Sequence, residues 1–111
     1  MFMKFIKKLK LALLNRKFAS RDLNIIQSIN AQQFAGILND LKEQGWQVDA
    51  YQGSFNPKYE KWSDTLRKGQ SSLNFAWEQK QQGAITGPSR IVKGLGETYK
   101  LSVLDKPHET S

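Results

Sequence analysis

The sequence predicts an α+β fold, with amphipathic helices at the N-terminus followed by a small antiparallel or mixed sheet. Apolar residues recur at helical spacing near the N-terminus and again in residues 31–44. Two later stretches, at about 46–52 and 71–79, alternate apolar and polar residues as half-buried strands do. The 111 residues have the length of one domain. We therefore expect a basic amphipathic helix over residues 1–20, one α+β domain over 21–104 and a polar tail over 105–111.

Residues 2–17 are predicted to form the basic amphipathic helix. Its apolar face carries Phe2, Phe5, Ile6, Leu9 and Leu13. The basic residues expected to contact an anionic surface are Lys4, Lys7, Lys8, Lys10, Arg16 and Lys17. Leu11 and Leu14 fall near the lysines on a helical wheel, so the two faces are imperfectly separated.

The net charge of the chain comes from this N-terminal segment. The formal charge is +7, from 17 basic and 10 acidic residues. Residues 1–21 contain seven basic residues and no acidic one, whereas residues 22–111 contain ten of each. The body is therefore formally neutral, which argues against a nucleic-acid-binding domain that is basic throughout. A local basic patch on the body is still compatible with this balance.

A basic amphipathic helix has three physical uses. Its apolar face can enter a membrane interface while its lysines meet anionic headgroups. Its lysines can instead contact nucleic-acid phosphates or an acidic protein. The third use is docking of the apolar face on the domain itself, which is the commonest arrangement of such helices. The apolar run at residues 11–14 is too short for a secretory signal, whereas a mitochondrial transit peptide stays an alternative for a eukaryotic source.

The helix predicted over residues 31–44 has the clearest local signals. Asn30 is a good N-cap, and Gln33 stands three residues later as in a capping box. Gly45 is placed to end the helix in the left-handed conformation, followed by Trp46 in a Schellman-type contact with the last turn. The predicted core stripe of the helix is Phe34, Ile37, Leu38 and Leu41.

The segments on either side of that helix are less regular. Residues 19–29 are interpreted as a connector, and 46–52 as a strand. Asn56 followed by Pro57 is typical of a helix start. One helical face would then carry Tyr59, Trp62 and Leu66. We predict a helix over 57–67, and the alternative is a strand that pairs back on residues 46–52.

The rest of the body is predicted to contain a strand over 71–79, a short strand at 84–85, a helix capped by Ser89 and a last strand over 100–104. Gly94 and Gly96 each weaken that helix by about 1 kcal/mol relative to alanine. If residues 57–67 are helical, the order from residue 46 is β-α-β-β-α-β, the ferredoxin-like order. If they are extended, the body becomes an antiparallel sheet covered by helices.

The inventory of reactive side chains is small. The chain has no cysteine and one histidine, His108, in the polar tail. Four carboxylates of the body are expected at solvent-facing positions, namely Asp49, Glu60, Asp64 and Glu78. We therefore expect no enzymatic activity, no metal site and no cofactor. Phe55 lies in a loop and is a candidate anchor for a partner, and the alternative is that it folds back as a lid on the core.

These observations favour a small non-enzymatic binding or adaptor protein whose N-terminal helix contacts an anionic membrane surface. We expect it to be cytoplasmic and peripheral to the inner face of the membrane. One alternative is a nucleic-acid-associated accessory protein that uses the same helix on phosphates. Another is an inhibitor- or immunity-type module that binds a second protein through its neutral body. No small-molecule substrate is evident from the sequence.

Overall fold

The structure, a computed structural model, describes residues 22–49 and 53–107 and shows five strands and two helices in them. The elements are β1 (Leu23–Ile29), α1 (Ala31–Glu43), β2 (Gln47–Val48), β3 (Lys61–Lys68), β4 (Ser71–Glu78), β5 (Gln82–Pro88) and α2 (Ser89–Tyr99). The predicted α+β class is confirmed. The helix predicted over residues 2–17 lies outside the described residues.

The five strands form one antiparallel sheet in the order β1-β5-β4-β3-β2. Strands β2 to β5 follow one another as a meander, and β1 pairs with β5 at the far edge. The helix α1 carries the chain from the β1 edge to the β2 edge. Both helices contribute to one buried cluster with the inward side chains of the sheet, so they cover the same face. The opposite face presents small and polar residues such as Ser63, Thr65 and Asn74.

The helix α1 begins and ends as its sequence predicts. The Asn30 side chain accepts a hydrogen bond from the Gln33 backbone N–H at 2.8 Å. Gly45 has a φ of 98°, and the Trp46 N–H donates to the Leu41 carbonyl at 3.0 Å, which is the long hydrogen bond of a Schellman end. All four residues of the predicted stripe are buried. The Gln33 side chain donates to the Tyr99 carbonyl at 3.0 Å, which ties α1 to the end of α2.

A second contact joins the same two helices. The Tyr99 hydroxyl donates to the Asp40 carboxylate at 2.7 Å. Burial, followed by the hydrogen bond and the negative charge of Asp40, raises the pKa of Tyr99 to about 12. The phenol therefore keeps its proton, and with it this hydrogen bond, throughout the physiological pH range.

The connector predicted over residues 19–29 is wrong, because residues 23–29 form β1. The register shifts between Ile26 and Ile29, where Ser28 adopts a φ of 59°. Ile26 pairs with a core residue of β5, while its neighbour Ile25 points to the opposite face and is also buried. Adjacent buried residues and an irregular register hide the period of two that identifies a strand.

The helix predicted over 57–67 is also wrong, and the extended alternative is the one observed. In β3 the inward-facing side chains are Trp62, Asp64 and Leu66. Asn56 forms a turn instead of starting a helix, since its side chain accepts from the Lys58 N–H at 2.9 Å. Because β3 pairs with β2, the body is an antiparallel sheet with helices on one face, and the ferredoxin-like order is not formed.

The later elements follow the prediction in part. The strand predicted over 71–79 is β4, and the short strand at 84–85 lies within the longer β5. Ser89 does not cap α2 but is its first residue, and Pro88 holds the cap position without a side-chain hydrogen bond. The strand predicted over 100–104 is reduced to one bridge between Leu104 and Ile25. Only two residues of the strand predicted over 46–52 are in β2; residues 50–52 lie outside the described part of the chain.

The two glycines of α2 differ in what surrounds them. A Cβ on Gly94 would meet no atom within 4 Å, whereas a Cβ on Gly96 would overlap the Val103 side chain and crowd the Leu101 carbonyl. We expect Gly94→Ala to raise the free energy of unfolding by about 0.5–1 kcal/mol, since alanine is the better helix former. Gly96→Ala should lower it by about 1–3 kcal/mol through overpacking. Urea denaturation of both variants measures these changes in the free energy of unfolding. Equal changes in the same direction would contradict the prediction.

Candidate functional site

The residues predicted to contact an anionic surface lie in residues 1–21, outside the described part of the chain. Their roles therefore stay predictions, as does the apolar face of the same segment. The structure does describe where the segment joins the body. The Asp22 carbonyl accepts a hydrogen bond from the Ser89 N–H at 3.0 Å. The segment consequently leaves the body at the end of the sheet where β1 begins and α2 starts.

Phe55, the candidate loop anchor, packs against the core. Its ring centroid lies 4.9 Å from Phe34, 5.1 Å from Trp77 and 5.4 Å from Trp62, in each case in an edge-to-face arrangement. Together with Phe75 these residues form an aromatic cluster beneath α1. The contacts are those of a lid on the core, which is the alternative that the sequence offered. A role of Phe55 in binding a partner stays a prediction.

A cleft opens beside Phe55, between α1 and the edge of the sheet. It has a volume of about 260 Å³. One wall is the face of α1 formed by residues 35, 38, 39 and 42, and the other is made by Val48 of β2 together with the loop at 53–55. The floor is formed by Trp62 and Asp64 of β3. We refer to this space as the Asp64 cleft.

Asp64 is the chemically distinctive residue of the cleft. The sequence predicted a solvent-facing carboxylate, but the residue is only 8% exposed. It occupies an inward position of β3, between Trp62 and Leu66, because β3 is a strand and not a helix. One of its oxygens accepts a hydrogen bond from the Thr65 N–H at 2.8 Å. A buried carboxylate is costly unless it is hydrogen-bonded or paired with a cation.

The other residues of the Asp64 cleft fall into an apolar and a polar group. The apolar group is Ala35, Leu38, Val48, Phe55 and Trp62. The polar side chains Asn39 and Lys42 are exposed, so they lie at the mouth. The cleft thus combines a buried carboxyl group and aromatic walls with a lysine at its entrance.

The Trp62 indole fixes the loop that forms part of this wall. Its N–H donates to the Gly53 carbonyl at 3.1 Å. The corresponding N–H of Trp77 donates to the Tyr59 carbonyl at 3.1 Å. Two buried indoles therefore hold the 53–60 loop against the sheet, and the Trp62 hydrogen bond fixes the part of the loop that lines the cleft.

A second, larger concavity lies over the open face of the sheet and has a volume of about 420 Å³. Its charged residues are Lys61 and Glu78, which are direct partners across β3 and β4. The remaining lining combines Trp62 and Trp77 with polar or small residues such as Gln27. Lys61 and Glu78 lie beside each other on an open surface, so their opposite charges offset each other for an approaching ligand.

Two kinds of feature are absent from residues 22–49 and 53–107. No group of three or more histidine, cysteine, aspartate or glutamate residues there could hold a metal ion. No helix in this part of the chain is long and apolar enough to cross a membrane.

Comparison with known proteins finds no match. No family model, no curated protein and no solved structure aligns significantly with the chain. Its function therefore has to be inferred from the charges and contacts of its own residues.

The sequence missed the Asp64 cleft because its walls come from distant parts of the chain. One signal was present: Ala35, Leu38 and Lys42 lie along the edge of the helical stripe that the sequence identified. The other was an aspartate at an alternating position between Trp62 and Leu66. With the segment taken as a helix, that aspartate falls off the apolar face and looks solvated.

Proposed function

We propose that the protein is a small non-enzymatic binding protein whose basic N-terminal segment attaches a neutral α+β body to an anionic membrane surface. The observation that carries this proposal is the distribution of charge. Seven basic residues and no acidic one lie in residues 1–21, and the remaining charges sum to zero. An anionic surface would therefore attract one end of the chain and leave the rest free of strong attraction or repulsion.

The position of Asp22 supports the same proposal. Its carbonyl is held by the N–H of Ser89, so the segment joins the sheet without an intervening linker in the described residues. A membrane-bound segment would keep the start of β1 and of α2 close to the surface. The opposite end of the sheet, with the turn after β4, would then face away from the membrane.

Charge removal in the full chain tests the proposal. A variant with Lys4, Lys7, Lys8 and Lys10 replaced by glutamine should lose up to about a thousandfold in affinity for phosphatidylserine-containing vesicles, since each lysine near such a surface contributes about 1 kcal/mol. The matched control replaces four exposed lysines of the body, Lys58, Lys80, Lys93 and Lys106, and should bind as the intact protein does. Vesicle sedimentation measures both.

Several outcomes would contradict membrane attachment. The intact protein could fail to bind anionic vesicles, or the two quadruple variants could lose affinity equally. Binding to duplex DNA that falls steeply with salt, without vesicle binding, would favour the nucleic-acid alternative.

Variants of the apolar face separate membrane insertion from docking on the body. Ile6→Ser combined with Leu9→Ser should weaken vesicle binding and leave the urea midpoint of the free protein unchanged. A lowered midpoint would show that these side chains pack on the body, and would contradict their use at a membrane.

A further inference from the structure

We propose that residues 11–18 pack on the open face of the sheet, at the corner where β1 begins, and so hold the N-terminal segment on the body. The contact would be made by Leu11, Leu14 and Phe18, which do not belong to the apolar face assigned to membrane binding. The proposal goes beyond membrane attachment, because it concerns the free protein. Its consequence for the body at a membrane rests on the proposed function.

An apolar strip lies on the open face of the sheet at this corner. Ile26 points into the core, so the alternate residues 23 and 25 of β1 point to the open face. Residues paired directly with them across the strands lie on the same face. Two residues of β1 and a partner of each therefore form the strip, which we call the β1 strip: Leu23 with Pro88, and Ile25 with Leu104.

The β1 strip differs from the rest of the open face. Away from this corner the face carries small and polar side chains, among them Thr65, Asn74 and Ala76. Within the strip Ile25 is buried, whereas the other three residues are half-buried. Both described helices pack on the opposite face of the sheet, so neither covers the strip. Its half-buried side chains therefore have apolar area left to bury, which favours docking of another apolar surface.

The N-terminal segment carries a second apolar stripe in its last part. Leu11, Leu14 and Phe18 stand at i, i+3 and i+7, which is the spacing of one helical face. In a helix this stripe points about 160° away from the face that carries Phe2 and Leu9. A membrane contact through the first face therefore leaves the second stripe uncovered, on the side of the segment that is turned away from the membrane.

The position of Asp22 brings the two apolar surfaces together. This residue directly precedes Leu23 of the β1 strip, and its carbonyl accepts a hydrogen bond from the Ser89 N–H at 3.0 Å. Its φ of 51° is left-handed and turns the chain out of the line of β1. Phe18 stands four residues earlier, so it lies within about 14 Å of Asp22 even where the chain is extended. The second stripe can therefore reach the strip without a long linker.

The size and charge of the two surfaces also agree. A helical stripe from residue 11 to residue 18 is about 10 Å long. The β1 strip crosses two strand spacings, which is about 10 Å as well. The basic residues of this part of the segment are Arg16 and Lys17, and both point about 90° or more away from the second stripe. Docking therefore buries no charge and leaves these residues free to meet an anionic surface.

The first test compares two pairs of substitutions in the full-length protein. Leu14→Ser combined with Phe18→Ser should lower the urea midpoint by about 1 M, because the docked stripe no longer buries apolar area. Ile6→Ser combined with Leu9→Ser is the matched control from the opposite face and should leave the midpoint unchanged. An unchanged midpoint for the first pair, or equal losses for the two pairs, would overturn the proposal.

A double-mutant cycle identifies the surface that the stripe covers. Leu23→Ser should lower the urea midpoint, and together with Phe18→Ser it should lower the midpoint by less than the sum of the two single effects. Tyr59→Ser is the control, since this tyrosine is 42% exposed at the opposite end of the sheet, and its effect should add to that of Phe18→Ser. Additive effects of Leu23→Ser and Phe18→Ser would show that the stripe does not cover the β1 strip.

A spin label tests the docking directly, even if the serine variants do not fold. The chain contains no cysteine, so Asn15→Cys offers a single attachment site for a nitroxide beside the second stripe. The label should broaden the amide NMR signals of Ile25 and Thr86 on the open face. The signals of Gly36 and Asn39 in α1, on the other side of the sheet, should stay sharp. No broadening, or equal broadening on the two sides, would overturn the proposal.

Vesicle sedimentation of the labelled protein separates this proposal from membrane attachment. Vesicle binding without broadening at Ile25 would overturn the docking and support the attachment. Broadening without vesicle binding would support the docking and contradict the attachment. If the protein shows both, the segment lies between the membrane and the sheet, and the body is held against the surface by a packed contact instead of a free linker.

Discussion

Replacing Phe34 with alanine should lower the free energy of unfolding by about 4 kcal/mol, because the substitution removes the centre of the aromatic cluster. The Phe34 side chain is completely buried. Its ring lies 4.9 Å from Phe55, 5.4 Å from Phe75 and 5.8 Å from Trp77. Since these rings belong to a loop, a strand and a helix, the surroundings cannot readily collapse into the space.

Urea denaturation, monitored by tryptophan fluorescence, measures this loss of stability. Domains of this size are stable by about 5–15 kcal/mol, so the alanine variant should still fold in the cold or in an osmolyte. Phe34→Leu, which retains most of the apolar volume, should cost only about 1–2 kcal/mol. A loss below about 1 kcal/mol for the alanine variant would show that Phe34 is not the centre of the core.

The second large effect is expected at Gly83, which faces Phe34 from β5. A Cβ at this position would overlap the Phe34 ring. Because the ring is held on all sides, Gly83→Ala should lower the free energy of unfolding by about 2–3 kcal/mol. The matched control is Gly36→Ala in α1, where a Cβ would meet nothing within 4 Å and no loss is expected.

A double-mutant cycle tests whether overlap with Phe34 is the cause of the destabilisation by Gly83→Ala. In the Phe34→Ala or Phe34→Leu background the added methyl group has room, so Gly83→Ala should cost less than about 1 kcal/mol. The expected coupling is about 2 kcal/mol, within the range seen for residues in contact. Additive losses would show that Gly83 is required for its backbone conformation and not for the space that it leaves.

The elements predicted correctly are those whose signals are local. In α1 the cap at Asn30, the buried stripe and Gly45 all lie within sixteen residues and agree with one another. The strand β4 likewise alternates without interruption. Such segments need no information from distant parts of the chain.

The elements predicted wrongly contain a local signal that the tertiary structure overrides. Tyr59, Trp62 and Leu66 fit a helical face as well as a strand, and an aspartate occupies the inward position between the last two. In β1 the adjacent residues Ile25 and Ile26 point to opposite faces and both are buried, and the register shifts after Ile26. Their burial depends on Leu104 and β5, which a local pattern cannot reveal.

The same reason explains why the Asp64 cleft could not be predicted. Its walls come from α1, from Val48 of β2 with the 53–55 loop, and from β3. Once β3 is known to be a strand, alternation alone places Asp64 inward. The inward position of Asp64 could therefore be predicted from the sequence only if residues 61–68 had first been identified as a strand.

The pairing of β1 with β5 has a consequence for how the protein is made. Ile26 pairs with Ile85, so the first strand lacks its partner until nearly sixty more residues have been added. At a synthesis rate of about 5–20 residues per second, that interval lasts on the order of several seconds. During this interval residues 1–21 have already been synthesised, while the sheet still lacks β5. Whatever those residues bind can therefore meet the nascent chain before the domain closes.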